Sequence, residues 1–320
     1  MKKLALLLGS LLVVGTTVTA KEAVVAPVEV SKEVVVVAEP VAEIVVVEET
    51  PLLVPTSFGL WYENDNVSGS TNSDLGLNYF GMNLGLRSGS GDWTYGIQAY
   101  KAWTLDDKVD VVDGKSDDRF QLDAWRHFNR DGAFKYSLGA RARLNKTYDR
   151  YYLRGKYAYG MFSGWADWFY TSNNETSNSR DSHTLEIMPL NMTFGPLTLG
   201  YFLAYNDGFG TVVANEVMPQ STEHQVRFYF PLFSYEKLSL SAEYRLGIAR
   251  DGKNKDNSKE SNYKFGERNR GILNVGYAYS ENVSLNAYYL YDVTRFKKVD
   301  GERKPNENYG EFGFEWTYKF

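Results

Sequence analysis

Apolar and polar side chains alternate with a period of two over most of this 320-residue chain, from about residue 56 to the last residue. In LSLSAEYRLGIA, residues 238–249, one face of an extended chain carries Leu238, Leu240, Ala242, Tyr244, Leu246 and Ile248. The opposite face carries Ser239, Ser241, Glu243, Arg245 and Gly247. A helix would need a period of 3.6 residues, so the alternation predicts β-strands.

Two classes of connection alternate between these segments. Six are short turns, near residues 88–91, 130–132, 163–164, 195–196, 234–237 and 280–282. The other seven connections are mostly long and polar, with a brief one near Asp149, and together the two classes join fourteen strands. Short turns at one end and long loops at the other are typical of outer-membrane barrels. We therefore predict an all-β fold, a transmembrane antiparallel up-and-down β-barrel of about fourteen strands, and consider a soluble β-sandwich the weaker alternative.

The last ten residues, EFGFEWTYKF, show the alternation in its strongest form. One face carries Phe312, Phe314, Trp316, Tyr318 and Phe320, and the other carries Glu311 and Glu315. In a membrane barrel the aromatic face points to lipid and the glutamates to the lumen. Tyr318 and the terminal Phe320 also resemble the signal that the outer-membrane assembly machinery reads, so we interpret them as an assembly signal.

The first 55 residues have a different composition. Residues 1–20 combine Met1-Lys2-Lys3, an apolar stretch and an A-x-A-like site at Val18-Thr19-Ala20, which predicts a cleaved signal peptide. Residues 21–55 are rich in Val, Glu and Pro, which favours an extended periplasmic spacer, with a docking segment as the alternative. The barrel is expected to occupy residues 56–320.

Composition narrows the function. The chain has no cysteine, which excludes thiol catalysis, a cysteine-based zinc site and disulfides. Its net charge of -5 and the lack of a basic run with interleaved aromatics argue against a nucleic-acid partner. We expect no cofactor and no metal site.

Barrel enzymes exist, so the three histidines need a separate argument. A hydrolase needs a nucleophile, a base and an orienting group within hydrogen-bond reach. Asp181, Ser182 and His183 are consecutive, so Ser182 points away from the other two in a strand. His224 and His127 have no evident third partner in the sequence. We therefore predict that the chain is not an enzyme and treat a surface hydrolase as the third-ranked function.

Charged residues on the inward faces are the candidate functional residues. Arg141, Arg143, Arg154 and Lys156 are predicted to be basic residues that line a channel in its outer half, with Arg143 opposite Arg154 and Arg141 opposite Lys156. The predicted acidic residues of the opposite wall are Glu63, Asp292, Glu311 and Glu315. Arg227 is expected to pair with Glu243 across the 234–237 turn.

Two external loops also draw attention. The aspartate-rich segment 106–118 is expected to be a solvated loop, with divalent cations that bridge lipopolysaccharide as the alternative. The segment 206–221 is unusually apolar, so we expect it to fold inward or to pack on a neighbouring loop or subunit.

The leader MKKLALLLGSLLVVGTTVTAKE, the Val/Glu/Pro-rich segment after it and the aromatic-rich strands ending in Phe320 resemble the fusobacterial major outer-membrane porins. This resemblance implies a fourteen-stranded, water-filled porin, with a homotrimer as one form of assembly, in the outer membrane of a Gram-negative cell. The expected function is passive diffusion of small hydrophilic solutes. The expected partners are those solutes, outer-membrane lipid and lipopolysaccharide, and the assembly machinery. Because the family also has adhesive members, a surface adhesin with a plugged lumen is the main alternative.

Overall fold

The computed structural model describes residues 51–69, 77–104, 118–146, 148–173, 181–209, 220–253, 262–295 and 307–320. Val54–Phe320 forms one compact unit. The predicted signal peptide, most of the predicted spacer, the acidic loop up to residue 117 and residues 210–219 of the apolar loop lie outside the described residues. No helix in the described ranges is long and apolar enough to cross a bilayer.

The alternating segments form fourteen strands. Their bounds are β1 Leu53–Gly69, β2 Leu77–Ser88, β3 Trp93–Thr104, β4 Arg119–Phe128, β5 Phe134–Asn145, β6 Tyr148–Tyr159, β7 Phe162–Asn173, β8 Asp181–Phe194, β9 Leu197–Phe209, β10 Gln220–Tyr235, β11 Leu238–Lys253, β12 Arg268–Ala278, β13 Val283–Thr294 and β14 Glu307–Lys319. The predicted number of strands is confirmed. β1 begins at Leu53, so three residues assigned to the spacer belong to the first strand.

The fourteen strands close into a single barrel, in which each strand lies beside its sequence neighbours and β14 returns to β1. The closing pair is antiparallel and runs from Ser57 opposite Lys319 to Gly69 opposite Glu307. Closure leaves no sheet edge with unpaired backbone groups, which is the condition for a sheet to sit in hydrocarbon.

The connections sort to the two ends as the sequence predicts. Six turns of two to five residues join β2 to β3, β4 to β5, β6 to β7, β8 to β9, β10 to β11 and β12 to β13, at the end where β1 starts and β14 finishes. Gly160 and Gly195, with φ of 56° and 55°, occupy left-handed positions in two of these turns, where a Cβ would be strained. The remaining connections lie at the opposite end.

The outer face of the barrel is apolar. Alternate residues along each strand point outward, and large apolar side chains there are well exposed, for example Leu153 at 62%, Leu138 at 57% and Tyr289 at 52%. On β14, Phe312 and Phe314 are exposed on this face, whereas Glu311 and Glu315 make contacts on the inner face. A continuous apolar band of this kind is the surface that a membrane barrel presents to lipid.

Phe320 lies at the turn end of the barrel, is 65% exposed and packs edge-on against Tyr318 at 5.2 Å between ring centroids. Replacing Phe320 with Glu should place a charge at the end of the aromatic face and lower the yield of inserted barrel. Insertion can be measured as the heat-modifiable fraction on a gel. Lys319→Glu, which changes the neighbouring residue, serves as the control. Normal insertion of Phe320→Glu would contradict an assembly role for this residue.

Candidate functional site: the charged inner wall

Side-chain contacts identify the inner face of the barrel. On a concave wall, side chains converge, so residues on strands separated by one intervening strand can touch. Asn83 on β2 donates to Glu315 on β14 at 3.0 Å, and Tyr288 on β13 donates to Glu63 on β1 at 2.7 Å. Trp61 on β1 lies edge-on to Tyr100 on β3, with 5.3 Å between ring centroids. These contacts place the charged residues of the same strand faces in the lumen.

Two of the predicted basic residues are held by carboxylates. Arg141 Nε donates to Asp123 Oδ1 at 2.6 Å, and Arg154 Nη1 contacts the same oxygen at 2.9 Å. Arg154 Nε also donates to Asp167 Oδ1 at 3.0 Å. Two acids and two bases therefore form a neutral network across β4 to β7, and all four side chains are less than one-fifth exposed.

The other two predicted basic residues have no carboxylate partner. Among the described residues, no acid lies within ion-pair distance of Arg143 or Lys156; Arg143 Nε donates instead to the amide oxygen of Gln121 at 2.9 Å. Lys156 Nζ lies 4.8 Å from the centre of the Trp125 ring, a cation–π distance. No ion pair therefore compensates the charge of either cation within the described residues.

The predicted register between β5 and β6 is wrong. Arg143 lies opposite Arg150, and Arg141 lies opposite Tyr152. The reason is that β6 starts at Tyr148, so Asp149 belongs to the strand, and its side chain accepts a hydrogen bond from the backbone N–H of Asn145 at 3.3 Å. Arg150, which was not predicted, thereby joins the wall. Lys156 lies near the turn end, so the prediction that all four cations occupy the outer half is also wrong.

The predicted pair between Arg227 and Glu243 is wrong as well. Arg227 lies opposite Arg245, and Glu243 lies opposite Tyr229 and accepts a hydrogen bond from Arg245. The turn consists of Glu236 and Lys237 alone, with Glu236 at a φ of 50°, and a β-bulge lies between Pro231 and Phe233; together they set the partner of Arg227 two residues from the predicted one. In the described part of the chain, no carboxylate lies within ion-pair distance of Arg227, which packs 3.7 Å from the centre of the Phe202 ring.

Glu63 and Glu311 share one hydrogen-bond donor on the opposite wall. The hydroxyl of Tyr288 lies 2.7 Å from Glu63 Oε2 and 2.5 Å from Glu311 Oε1, and its single proton serves one carboxylate at a time. Tyr288 reaches this position because it lies flat over Gly313, where a Cβ would stand 2.0 Å from the ring. Tyr309 donates to the second oxygen of Glu311 at 2.6 Å.

Glu315 completes this acidic group, receiving hydrogen bonds from Asn83 and from Thr317, the latter at 3.2 Å. No Lys or Arg among the described residues lies within ion-pair distance of Glu63, Glu311 or Glu315. Glu63 and Glu315 border a recess of about 230 Å³, and Glu63 also borders one of about 350 Å³, so these two carboxylates are open to the lumen. We call Glu63, Glu311 and Glu315 the acidic arc.

Asp292 does not belong with these residues. It is 3% exposed and is held by Arg268 at 3.0 Å and Arg270 at 2.7 Å. Arg268 also contacts Glu223 at 2.6 Å, and Glu223 accepts a hydrogen bond from Tyr263 at 2.7 Å. The charge of Asp292 is thus neutralised within a buried cluster near the loop end of β10, β12 and β13.

Tyr263 lies beyond the strands, between β11 and β12, and is 2% exposed. Burial and the neighbouring Glu223 carboxylate raise the pKa of Tyr263 above its ordinary value. Its hydroxyl therefore remains protonated at neutral pH and continues to donate to Glu223.

The acidic arc and the basic residues of β5 and β6 occupy different sectors of the barrel. The acidic arc lies on β1 and β14, and Arg143, Arg150 and Lys156 lie on β5 and β6, four to six strands further around the ring. The structure thus brings the predicted acidic residues together on one side, except for Asp292, and the predicted basic residues on another.

Among the described residues, the three histidines contact hydroxyl or aromatic side chains. His127 is bonded to Thr94 at 2.9 Å and to Ser137 at 2.8 Å, His183 stacks on Trp168, and His224 Nδ1 lies 2.6 Å from the Tyr201 hydroxyl. Within the described ranges, no group of three or more His, Cys, Asp or Glu side chains is placed to hold a metal ion.

Removing the shared acid of the neutral network should destabilise the barrel. Asp123→Asn leaves Arg141 without an acid, and we expect a loss of about 1–3 kcal/mol of unfolding free energy, since hydrogen bonds to charged groups contribute that much. Urea unfolding of the refolded protein in micelles measures it. The control is Asp92→Asn at the exposed pair with Arg130, 3.6 Å apart, where we expect less than about 1 kcal/mol. Equal losses would contradict a structural role for the network.

Comparison with known proteins gives the fold alone. A solved bacterial polysaccharide outer membrane secretin is similar over 85% of this chain and 100% of its own, at 10% identity and a TM-score of 0.52. Two other solved structures are too dissimilar to support an argument. An anion-selective porin from Comamonas acidovorans has 10% identity and a TM-score of 0.42, with 84% of this chain and 100% of its own covered. The trimer form of the outer membrane protein OmpT from Vibrio cholerae has 9% identity and a TM-score of 0.41, with 83% of this chain and 99% of its own covered. No family model matches the chain. No curated protein matches it either.

Proposed function

We propose that this chain is an outer-membrane porin through which small hydrophilic solutes diffuse passively. The observation that carries the proposal is the inner wall. It holds unpaired charges of both signs. The inner-face hydrogen bonds and ion pairs described above lie within one strand or join strands that are adjacent or separated by one, and none of these reaches across the lumen. About eight strands already fill a barrel with side chains, so fourteen leave room for water.

The outer membrane is the location that fits this proposal. The apolar outer face needs lipid, and closure satisfies the backbone within it. Insertion there would involve the assembly machinery, with Tyr318 and Phe320 as the signal, and contact with outer-membrane lipid and lipopolysaccharide. The family we propose is that of the fusobacterial major outer-membrane porins, on the strength of the leader and the Val/Glu/Pro-rich segment. A homotrimer is the assembly that this family relationship suggests.

We propose no catalytic role. The environments of His127, His183 and His224 support this view, since each ring contacts hydroxyl or aromatic side chains rather than a base and a nucleophile together. A surface hydrolase would need such a pair within hydrogen-bond reach.

Planar-bilayer recording of the refolded protein tests the function. We expect discrete, stable conductance steps in KCl. If the protein inserts in heat-modifiable form but gives no steps, the proposal fails, and an adhesin with a plugged lumen becomes the better explanation.

The acidic arc should attract cations in the parent protein. In the double variant Glu311→Gln/Glu315→Gln, the reversal potential in a KCl gradient should move toward the equilibrium potential of chloride. The shift should be large at about 0.01 M salt, where the Debye length is about 30 Å, and small near 1 M, where it is about 3 Å.

Glu236→Gln/Glu281→Gln removes the same charge from two turns and serves as the matched control. An equal shift in both double variants would mean that net charge, rather than the inner wall, sets the selectivity.

A further inference from the structure

Two arginines face each other on the inner wall near the loop end of the barrel. Arg143 on β5 lies directly opposite Arg150 on β6. Like charges in this position repel each other and destabilise a strand pair. The repulsion would be relieved by an acid placed between them, yet within the described ranges no carboxylate lies within ion-pair distance of either guanidinium.

An aromatic floor holds both guanidinium groups in place. Arg143 lies 5.4 Å from the centre of the Tyr152 ring, and Arg150 lies 5.2 Å from that of Phe169. Tyr152 and Phe169 pack together at 4.6 Å and are 7% and 6% exposed. A guanidinium beside a ring loses solvent from the side that faces the ring, so fewer of its N–H donors can bond to water.

Arg150 has fewer hydrogen-bond partners for its N–H donors than Arg143 has. Its Nε is buried and, in the described part of the structure, has no hydrogen-bond acceptor. Arg143 uses its Nε for Gln121, and among the described residues its two terminal nitrogens have no hydrogen-bond acceptor. A planar guanidinium presents paired donors that match the two oxygens of a carboxylate or phosphate.

One inner-face acid competes with such a ligand. Glu186 on β8 interacts electrostatically with Arg143, Arg150 and Arg227 but forms no ion pair with any of them. Asp167, opposite Glu186, is already occupied by Arg154. The carboxylate of Glu186 therefore lowers the local positive potential without occupying the donors of Arg143 and Arg150.

We propose that Arg143 and Arg150 form a binding subsite for small oxyanions, phosphate above all, which carries two negative charges and several acceptor oxygens. The subsite gives the proposed channel a substrate class, and it rests on that function for the delivery of the solute through the lumen. A bound phosphate would lie between the two guanidiniums, accept hydrogen bonds from both and neutralise their repulsion.

Calorimetric titration of inorganic phosphate into the refolded protein in nonionic micelles tests the subsite without requiring conduction. Arg150→Gln should weaken binding by roughly tenfold or more, because a charge-assisted contact is lost. Arg150→Lys keeps the positive charge but loses the paired donors of the guanidinium, so the expected weakening is smaller. Glu186→Gln should bind phosphate more tightly than the parent, an effect that a merely structural role for Arg150 would not produce.

Lys156→Gln is the matched control. It removes one positive charge from the same face of β6, roughly 20 Å along the strand from Arg150, so phosphate binding should stay within about twofold of the parent. The heat-modifiable fraction of each variant shows that it is folded, and Arg143→Gln provides a second test if Arg150→Gln folds poorly.

The outcomes separate the two proposals. Phosphate binding that depends on Arg150, together with no conductance, would support the subsite and overturn the porin function. Stable conductance with no phosphate binding, or with equal weakening in Arg150→Gln and Lys156→Gln, would overturn the subsite and leave the porin function in place.

Discussion

Backbone hydrogen bonding around a closed ring is the constraint on which this structure depends. A strand in hydrocarbon has no water to satisfy its N–H and C=O groups, so each of the fourteen strands needs a partner on both sides. The pairing of β1 with β14 supplies the last two sets of partners. Once the ring is closed, the period of two along every strand assigns each side chain to lipid or to the lumen.

That assignment concentrates charge in the lumen, where its effect depends on which neighbours the register provides. Asp123 lies between Arg141 and Arg154, and together with Asp167 it neutralises these two cations, which therefore contribute to stability more than to the potential. Arg143 and Arg150 form no ion pair within the described ranges, so their charges contribute more to the potential of the lumen. Residues of one type on the same face of adjacent strands thus have different roles.

The faces of the strands could be predicted from the sequence, but the partners of the charged residues could not. Alternation is a local signal, and turns rich in Gly, Ser and Asn mark where it restarts. Register depends on the length of each turn, which the sequence leaves open by a few residues. Arg143 lies opposite Arg150 rather than Arg154, and Arg227 lies opposite Arg245 rather than Glu243. Each observed partner differs from the predicted one by an even number of residues, so the predicted faces were right while the predicted partners were wrong.

Glycines on the inner face explain how bulky aromatics fit beside these charges. Trp125 lies over Gly139 and Tyr288 over Gly313, with an added Cβ only 2.6 and 2.0 Å from each ring. Rings that lie over a glycine stay close to the wall, and the Tyr288 hydroxyl is thereby placed between two carboxylates. Which ring meets which glycine also depends on register. A two-residue change in a turn would therefore re-pair the charges and rings of the wall while leaving every residue on the same face, and this gives a barrel of constant architecture a simple route to different selectivity.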